Sequence, residues 1–104
     1  MAMNPQAMMK QAKKMQAKME AAQAEAALET VEATSGGGMV TVGVSGDLKI
    51  RYVEINPEAV DPEDVEMLQD MIVAAVNEGI DKAQAMTSEK ISAATGGMNI
   101  PGLF

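Results

Sequence analysis

Hydrophobic periodicity changes twice along this 104-residue chain, from helical to alternating and back to helical. In the first stretch Met8, Ala12, Met15, Met19, Ala22 and Ala26 recur in steps of four and three. At 100° per residue they fall within an arc of roughly 80°. Asn4-Pro5 opens the stretch, with Asn suited to cap a helix and proline to its first position. Helix formers (Ala, Met, Gln, Lys, Glu) then carry it to about Leu28. The helix is thus expected over about residues 5–28, a rod of roughly 37 Å. A compact domain of this size has a radius of gyration of only about 13 Å. The rod is expected to overhang its own domain.

The middle of the chain reads as three strands. Residues 29–35 (ETVEATS) form the first, and Gly36-Gly37-Gly38 a turn. Residues 39–44 (MVTVGV) place Val40, Val42 and Val44 on one face. Ser45-Gly46-Asp47 is a second turn signal. Residues 48–55 (LKIRYVEI) place Leu48, Ile50 and Tyr52 on one face, and Lys49, Arg51, Val53 and Ile55 on the other. Short connections imply an antiparallel meander.

Asp61-Pro62-Glu63-Asp64 predicts a second helix from about residue 62 to 94, with Asp61 as cap and acids in the first turn. Its core stripe is Val65, Leu68, Ile72, Ala75, Val76, Ile80 and Ala83. Gly96-Gly97 closes it. Residues 1–95 are therefore expected to form one α+β domain of order α-β-β-β-α, with 96–104 a flexible Gly/Pro-containing tail. Open sheet edges and an overhanging apolar stripe point to oligomerisation, most simply a twofold homodimer. The seam offered to a second copy or a partner is Met8, Met15, Met19 and Ala22.

Charge is laid out unusually along the first helix. Lys10, Lys13, Lys14 and Lys18 precede Glu20, Glu25, Glu29 and Glu32, with no acid among the first 19 residues. A helix macrodipole prefers acids first and bases last, so each misplaced charge costs about 0.3–1 kcal/mol at low salt. The second helix obeys that rule. Residues 35–104 carry four bases and eleven acids within a net charge of −7 for the chain. An acidic body with a basic tip meets a polyanion only through the tip.

Catalysis finds little support. The chain has no His and no Cys, so the commonest general base, the thiolate nucleophile and thiolate metal sites are missing. The triple glycine lacks the Lys-Ser/Thr of a phosphate-cradling loop. The acids between Glu58 and Asp70 lack EF-hand spacing and read as caps and a solvated face. No cofactor or metal is expected. No apolar run reaches the ~20 residues that span a bilayer, nor is there a compact secretory signal. The simplest location is the cytoplasm.

The lysine cluster is the candidate site. As a functional feature, Lys10, Lys13, Lys14 and Lys18 contact phosphates; otherwise they form a solvated helix back. The first helix has no Arg for bidentate guanine readout. Tyr52 is the one aromatic inside the folded region, so no stacking platform for single strands exists. A nucleic-acid partner would then be double-stranded DNA, bound with weak sequence preference and steep salt dependence. The competing reading is an adaptor that holds a protein partner at the Met-rich cleft or the C-terminal tail.

These residues also resemble a known family. MNPQAMMKQAKKMQAKME, SGGGMVTVGVSGD, INPEAVDPEDVEMLQDMIVAAVNEG and the closing NIPGLF are similar to the YbaB/EbfC family of bacterial nucleoid-associated proteins. The resemblance covers essentially the whole chain. It implies a small homodimer with a shared antiparallel sheet and protruding helical arms, shaped like tweezers. It further implies DNA binding, a place in the nucleoid, and effects on nucleoid organisation and gene expression. The implied DNA-contacting surface maps onto Lys10, Lys13, Lys14 and Lys18, with Lys82 and Lys90 as weaker contributors.

Overall fold

A computed structural model of the chain describes residues 4–96. Of the expected tail at 96–104, all but Gly96 lies outside the described residues. The order is α1 (Pro5–Leu28), β1 (Thr30–Ser35), β2 (Val40–Ser45), β3 (Ile50–Ile55), a 3-10 turn (Pro57–Ala59) and α2 (Val65–Ala94). The α-β-β-β-α architecture and the antiparallel meander read from the sequence are both present, with spatial order β1-β2-β3.

The core lies between α2 and one face of the sheet. Val40, Val42 and Val44 are fully buried there, beside Ala33, Ala75 and Ala83. Removing each valine from water is worth about 1.5–3 kcal/mol. Gly79 lets α2 approach this closely, because a Cβ there would stand 2.6 Å from Val44 Cγ2. Near the α2 N-terminus Ser35 Oγ donates to the Met71 carbonyl at 2.6 Å and ties β1 to the helix. α2 packs across β1 and β2 and leaves β3 largely uncovered. Val53 and Ile55 are consequently 43% and 37% exposed. The stripe expected on α2 is otherwise recovered, except that Val65 is exposed, since it precedes the sheet crossing.

Three local readings need correction. The α2 cap is Asp64, whose side chain accepts from Met67 N at 3.2 Å. Asp61 instead closes a turn onto Glu63 N at 2.9 Å, so the helix starts at Val65 rather than near 62. Glu29 is the C-cap of α1, not a strand residue. Finally, β3 does not alternate simply. Gly43 pairs with Tyr52 and Val44 with Ile50, leaving Arg51 as the extra residue of a bulge. Directly opposed residues share a face, so Ile50 joins Val53 and Ile55 on the valine side, away from Tyr52. The expected face of Leu48, Ile50 and Tyr52 is therefore broken.

On the other face Tyr52 lies over Gly43, where a Cβ would collide with its ring. Its hydroxyl donates to Glu32 on β1 and so straps the three strands together. That carboxylate beside the phenol pushes the Tyr52 pKa up to about 12.

Candidate nucleic-acid interface

α1 has two kinds of surroundings. Its C-terminal half is rooted in the body. Ala26 is fully buried and Ala22 is 5% exposed. Lys90 of α2 meets Glu25 at 3.2 Å and Glu29 at 3.0 Å. These two hydrogen-bonded carboxylates raise the Lys90 pKa, Glu29 most. The β2–β3 turn completes the root: Gly46 N donates to the carbonyls of Ala26 and Glu29, both at 3.1 Å. Thr87 Oγ1 of α2 donates to the Gly46 carbonyl at 3.2 Å. Only glycine fits at 46, since a Cβ would drive into the Ala26 carbonyl.

The turn is itself braced. Ser45 is buried, and its hydroxyl donates to Asp47 while accepting from Arg51 Nε at 3.1 Å. That hydroxyl, with Arg51 and Lys49 nearby, holds the Asp47 carboxyl below its usual range. Leu48 adopts φ 61°, a conformation that costs a non-glycine residue about 1–2 kcal/mol.

The first ten residues of the helix are bare. Glu25 and Glu29 face Lys90, while Lys18, Ala21 and Ala22 face Ala93 and Ala94. α2 therefore runs antiparallel to α1 and stops opposite its middle. Residues 5–14 are all exposed beyond that point, and the molecule extends 72 Å along its long axis. The overhang expected from helix length is present. Asn4 caps the tip, accepting from Gln6 N at 3.0 Å. No acid lies in the first turn.

Lys10, Lys13, Lys14 and Lys18 are all exposed on this arm. Lys10, Lys14 and Lys18 follow at i, i+4 and i+8, a row in which like charges oppose helix formation. Among the described residues no acid comes within ion-pair distance of any of the four. Every other base is engaged. Lys49 and Arg51 pair with Asp47 at 4.0 and 3.5 Å. Lys82 pairs with Glu78 at 3.9 Å and donates to the Glu32 carbonyl at 3.2 Å. Lys90 is held by the two root glutamates. The weaker candidates Lys82 and Lys90 are thus occupied within the fold; the i,i+4 spacing of Glu78 and Lys82 signals the first, whereas no spacing signals the pairing of Lys90 with Glu25 and Glu29.

The seam residues divide in the same way. Ala22 is buried against α2, Met15 and Met19 are half-buried, and Met8 is 52% exposed. Among the described residues no group of three or more acids is placed to hold a metal ion. No described helix is long and apolar enough to cross a membrane.

Comparison with known proteins gives this geometry a context. A nucleoid-associated protein of Alkaliphilus metalliredigens is 56% identical over 103 residues, 99% of this chain and 90% of its own length. One from Pelotomaculum thermopropionicum is 55% identical over 104 residues, 100% of this chain and 99% of its own length. One from Staphylococcus saprophyticus is 58% identical over 100 residues, covering 96% and 95%. The crystal structure of uncharacterized protein HP0035 from Helicobacter pylori shares the fold with a TM-score of 0.72. It is 20% identical, with 85% of this chain and 92% of that chain covered. Residues 1–98 match the family model described as the YbaB/EbfC DNA-binding family. Match and relatives agree over nearly the whole sequence, and the chain belongs to the YbaB/EbfC DNA-binding family.

Proposed function

We propose that this chain is a nucleoid-associated DNA-binding protein whose arm lysines contact the phosphates of duplex DNA. The observation that carries the reading is the division of its bases. The four body bases are engaged by acids, while Lys10, Lys13, Lys14 and Lys18 stand exposed and unpaired among the described residues. Lysine meets phosphate as a point charge and reads no base pattern by itself. Weak sequence preference follows, and the nucleoid-associated relatives support a role in nucleoid organisation, with effects on gene expression.

The binding unit in this reading is a homodimer. β3 is an edge strand whose apolar side chains Ile50, Val53 and Ile55 are left uncovered by α2. A second copy laid against them would bury that face and put two arms on one particle. Sedimentation tests this: Val53→Asp with Ile55→Asp is expected to give a folded monomer, and an unchanged dimer would remove β3 from the interface.

Fluorescence anisotropy with duplex DNA across a salt series tests the phosphate reading. The wild type is expected to weaken steeply with salt. Changing all four lysines to Gln is expected to lower the slope by about 2–4 units. Absence of binding at low salt would transfer the case to the Met-seam adaptor, whose binding is insensitive to salt.

A further inference from the structure

Around the N-terminus of α2 the body carries a groove of about 350 Å³, lined by Met39, Met67 and Met71 together with Glu58, Asp61 and Asp64. Three large apolar side chains, Val60, Val65 and Met67, are left exposed in the same short stretch. Scattered exposed apolar residues are ordinary, but a group of them beside a Met-lined groove marks a contact surface. None of the residues lining the groove belongs to β3, so it is distinct from the edge strand proposed for the homodimer.

The charge around the groove is of one sign. Asp61 and Asp64 each spend one carboxylate oxygen on a backbone amide, of Glu63 and Met67 respectively. Among the described residues neither they nor Glu58 meets a base. The sequence holds no base between Arg51 and Lys82. An occupant of this groove is therefore apolar and cationic at once.

The arm of a second copy has that chemistry. Met8 and Met9 are exposed near its tip, and Lys10, Lys13 and Lys14 stand among them without an acid. Met9 and Lys13 are four residues apart, so one face of the helix offers a thioether with a cation beside it. The positive end of the α1 dipole, with no acid in the first turn, adds to the attraction. A chain cannot fill its own groove. The 30 residues of α2 span about 45 Å, and α1 from Lys18, which faces Ala94, to Pro5 adds about 20 Å. These lengths account for most of the 72 Å long axis and put groove and arm tip at its opposite ends.

We propose that the arm tip of one copy docks in the Met-lined acidic groove of another, joining copies head to tail. Such a contact uses two different surfaces and does not close on itself, so it extends into open chains. It employs the arm lysines already assigned to phosphate, which makes duplex DNA and the groove competitors for one surface. The docking itself does not rest on the DNA reading.

Sedimentation velocity of the full-length, nucleic-acid-free protein over a concentration series tests it. The wild type is expected to assemble beyond its base unit at about 10 mM salt and to fall back at about 1 M, where the Debye length is only about 3 Å. One variant reverses the arm (Lys10→Glu, Lys13→Glu, Lys14→Glu). The other reverses the groove surroundings (Glu58→Lys, Glu63→Lys, Glu66→Lys) and keeps Asp61 and Asp64, which hold the turn and the helix cap. All six positions are exposed, and circular dichroism matched to wild type establishes folding before the comparison. Each variant alone is expected to need at least about tenfold more protein for half-assembly, and an equimolar mixture of the two to regain it, because opposite charges meet again. A wild type that stays at its base unit throughout overturns the proposal. So does assembly that either variant retains, or a mixture that regains none. No DNA is present, so each of these failures leaves the phosphate reading standing.

Discussion

Residues 5–18 and 19–28 of α1 belong to one uninterrupted helix, yet different forces hold the two halves. In the root half, small side chains allow close packing, two glutamates bracket Lys90, and a glycine amide binds the last carbonyls. In the arm half no described acid neutralises the lysines, and residues 5–14 are exposed throughout. Charge in the root is spent on the fold itself. Charge in the arm remains available to a partner. The contrast shows why net charge is a poor guide to this protein: at −7 overall it presents a free cationic surface in one place.

The largest expected effect tests that division directly. Replacing Lys10, Lys13, Lys14 and Lys18 with Gln should weaken duplex binding at low salt by at least about a hundredfold. Replacing the paired body bases Lys49 and Lys82 with Gln should leave affinity within about twofold, as seen in parallel titrations. Equal losses from the two sets would erase the distinction between arm and body.

Packing should separate the halves in the same manner. Ala26→Leu overfills a fully buried root position and should cost about 1–3 kcal/mol in denaturant unfolding. Ala17→Leu, on an exposed position of the arm, should stay within about 0.5 kcal/mol of wild type. Gly46→Ala should cost about 2 kcal/mol, because the turn must withdraw from the Ala26 carbonyl. It should also lower DNA affinity without touching a lysine, since the arm loses its fixed direction.

Alkaline titration examines the body alone. Tyr52 is the single tyrosine, and its hydroxyl is held by Glu32 with a pKa of about 12 against an ordinary 10.0. The folded value is raised, so the contribution is fully present below pH 10 and is lost as pH climbs toward 12. Tyr52→Phe should flatten the tyrosine part of that loss in unfolding measurements, while tyrosinate absorbance reports the folded titration. The smallest effect is expected at Leu48. Asn tolerates its left-handed conformation better, so Leu48→Asn should stabilise by about 0.5–1 kcal/mol.

Much of this was written locally and could be read from the sequence. Asn4-Pro5 caps a helix by its own chemistry, and the alternation of Val40, Val42 and Val44 needs no distant partner to declare a buried strand face. The lysine row was legible for the same reason. What stayed hidden depends on contacts far apart in the chain. The bulge at Arg51 appears only when β3 is laid against β2. Asp61 and Asp64 are both good caps, and the choice between them rests on where α2 meets the sheet. Lys90 looked like a free base near a helix end until Glu25 and Glu29, more than sixty residues earlier, folded onto it. Nothing in Ser45-Gly46-Asp47 announced that this turn would grip another element.

That grip has a mechanical consequence. From Ala26 to Pro5 the helix is a lever of about 32 Å, with its fulcrum at the Gly46 amide. A tilt of about 10° at the fulcrum swings the tip by roughly 5–6 Å, more than the rise of about 3.4 Å between successive phosphates on one DNA strand. In the proposed reading, a single hydrogen-bonded turn at the root, remote from the arm tip, sets which phosphates the tip can meet.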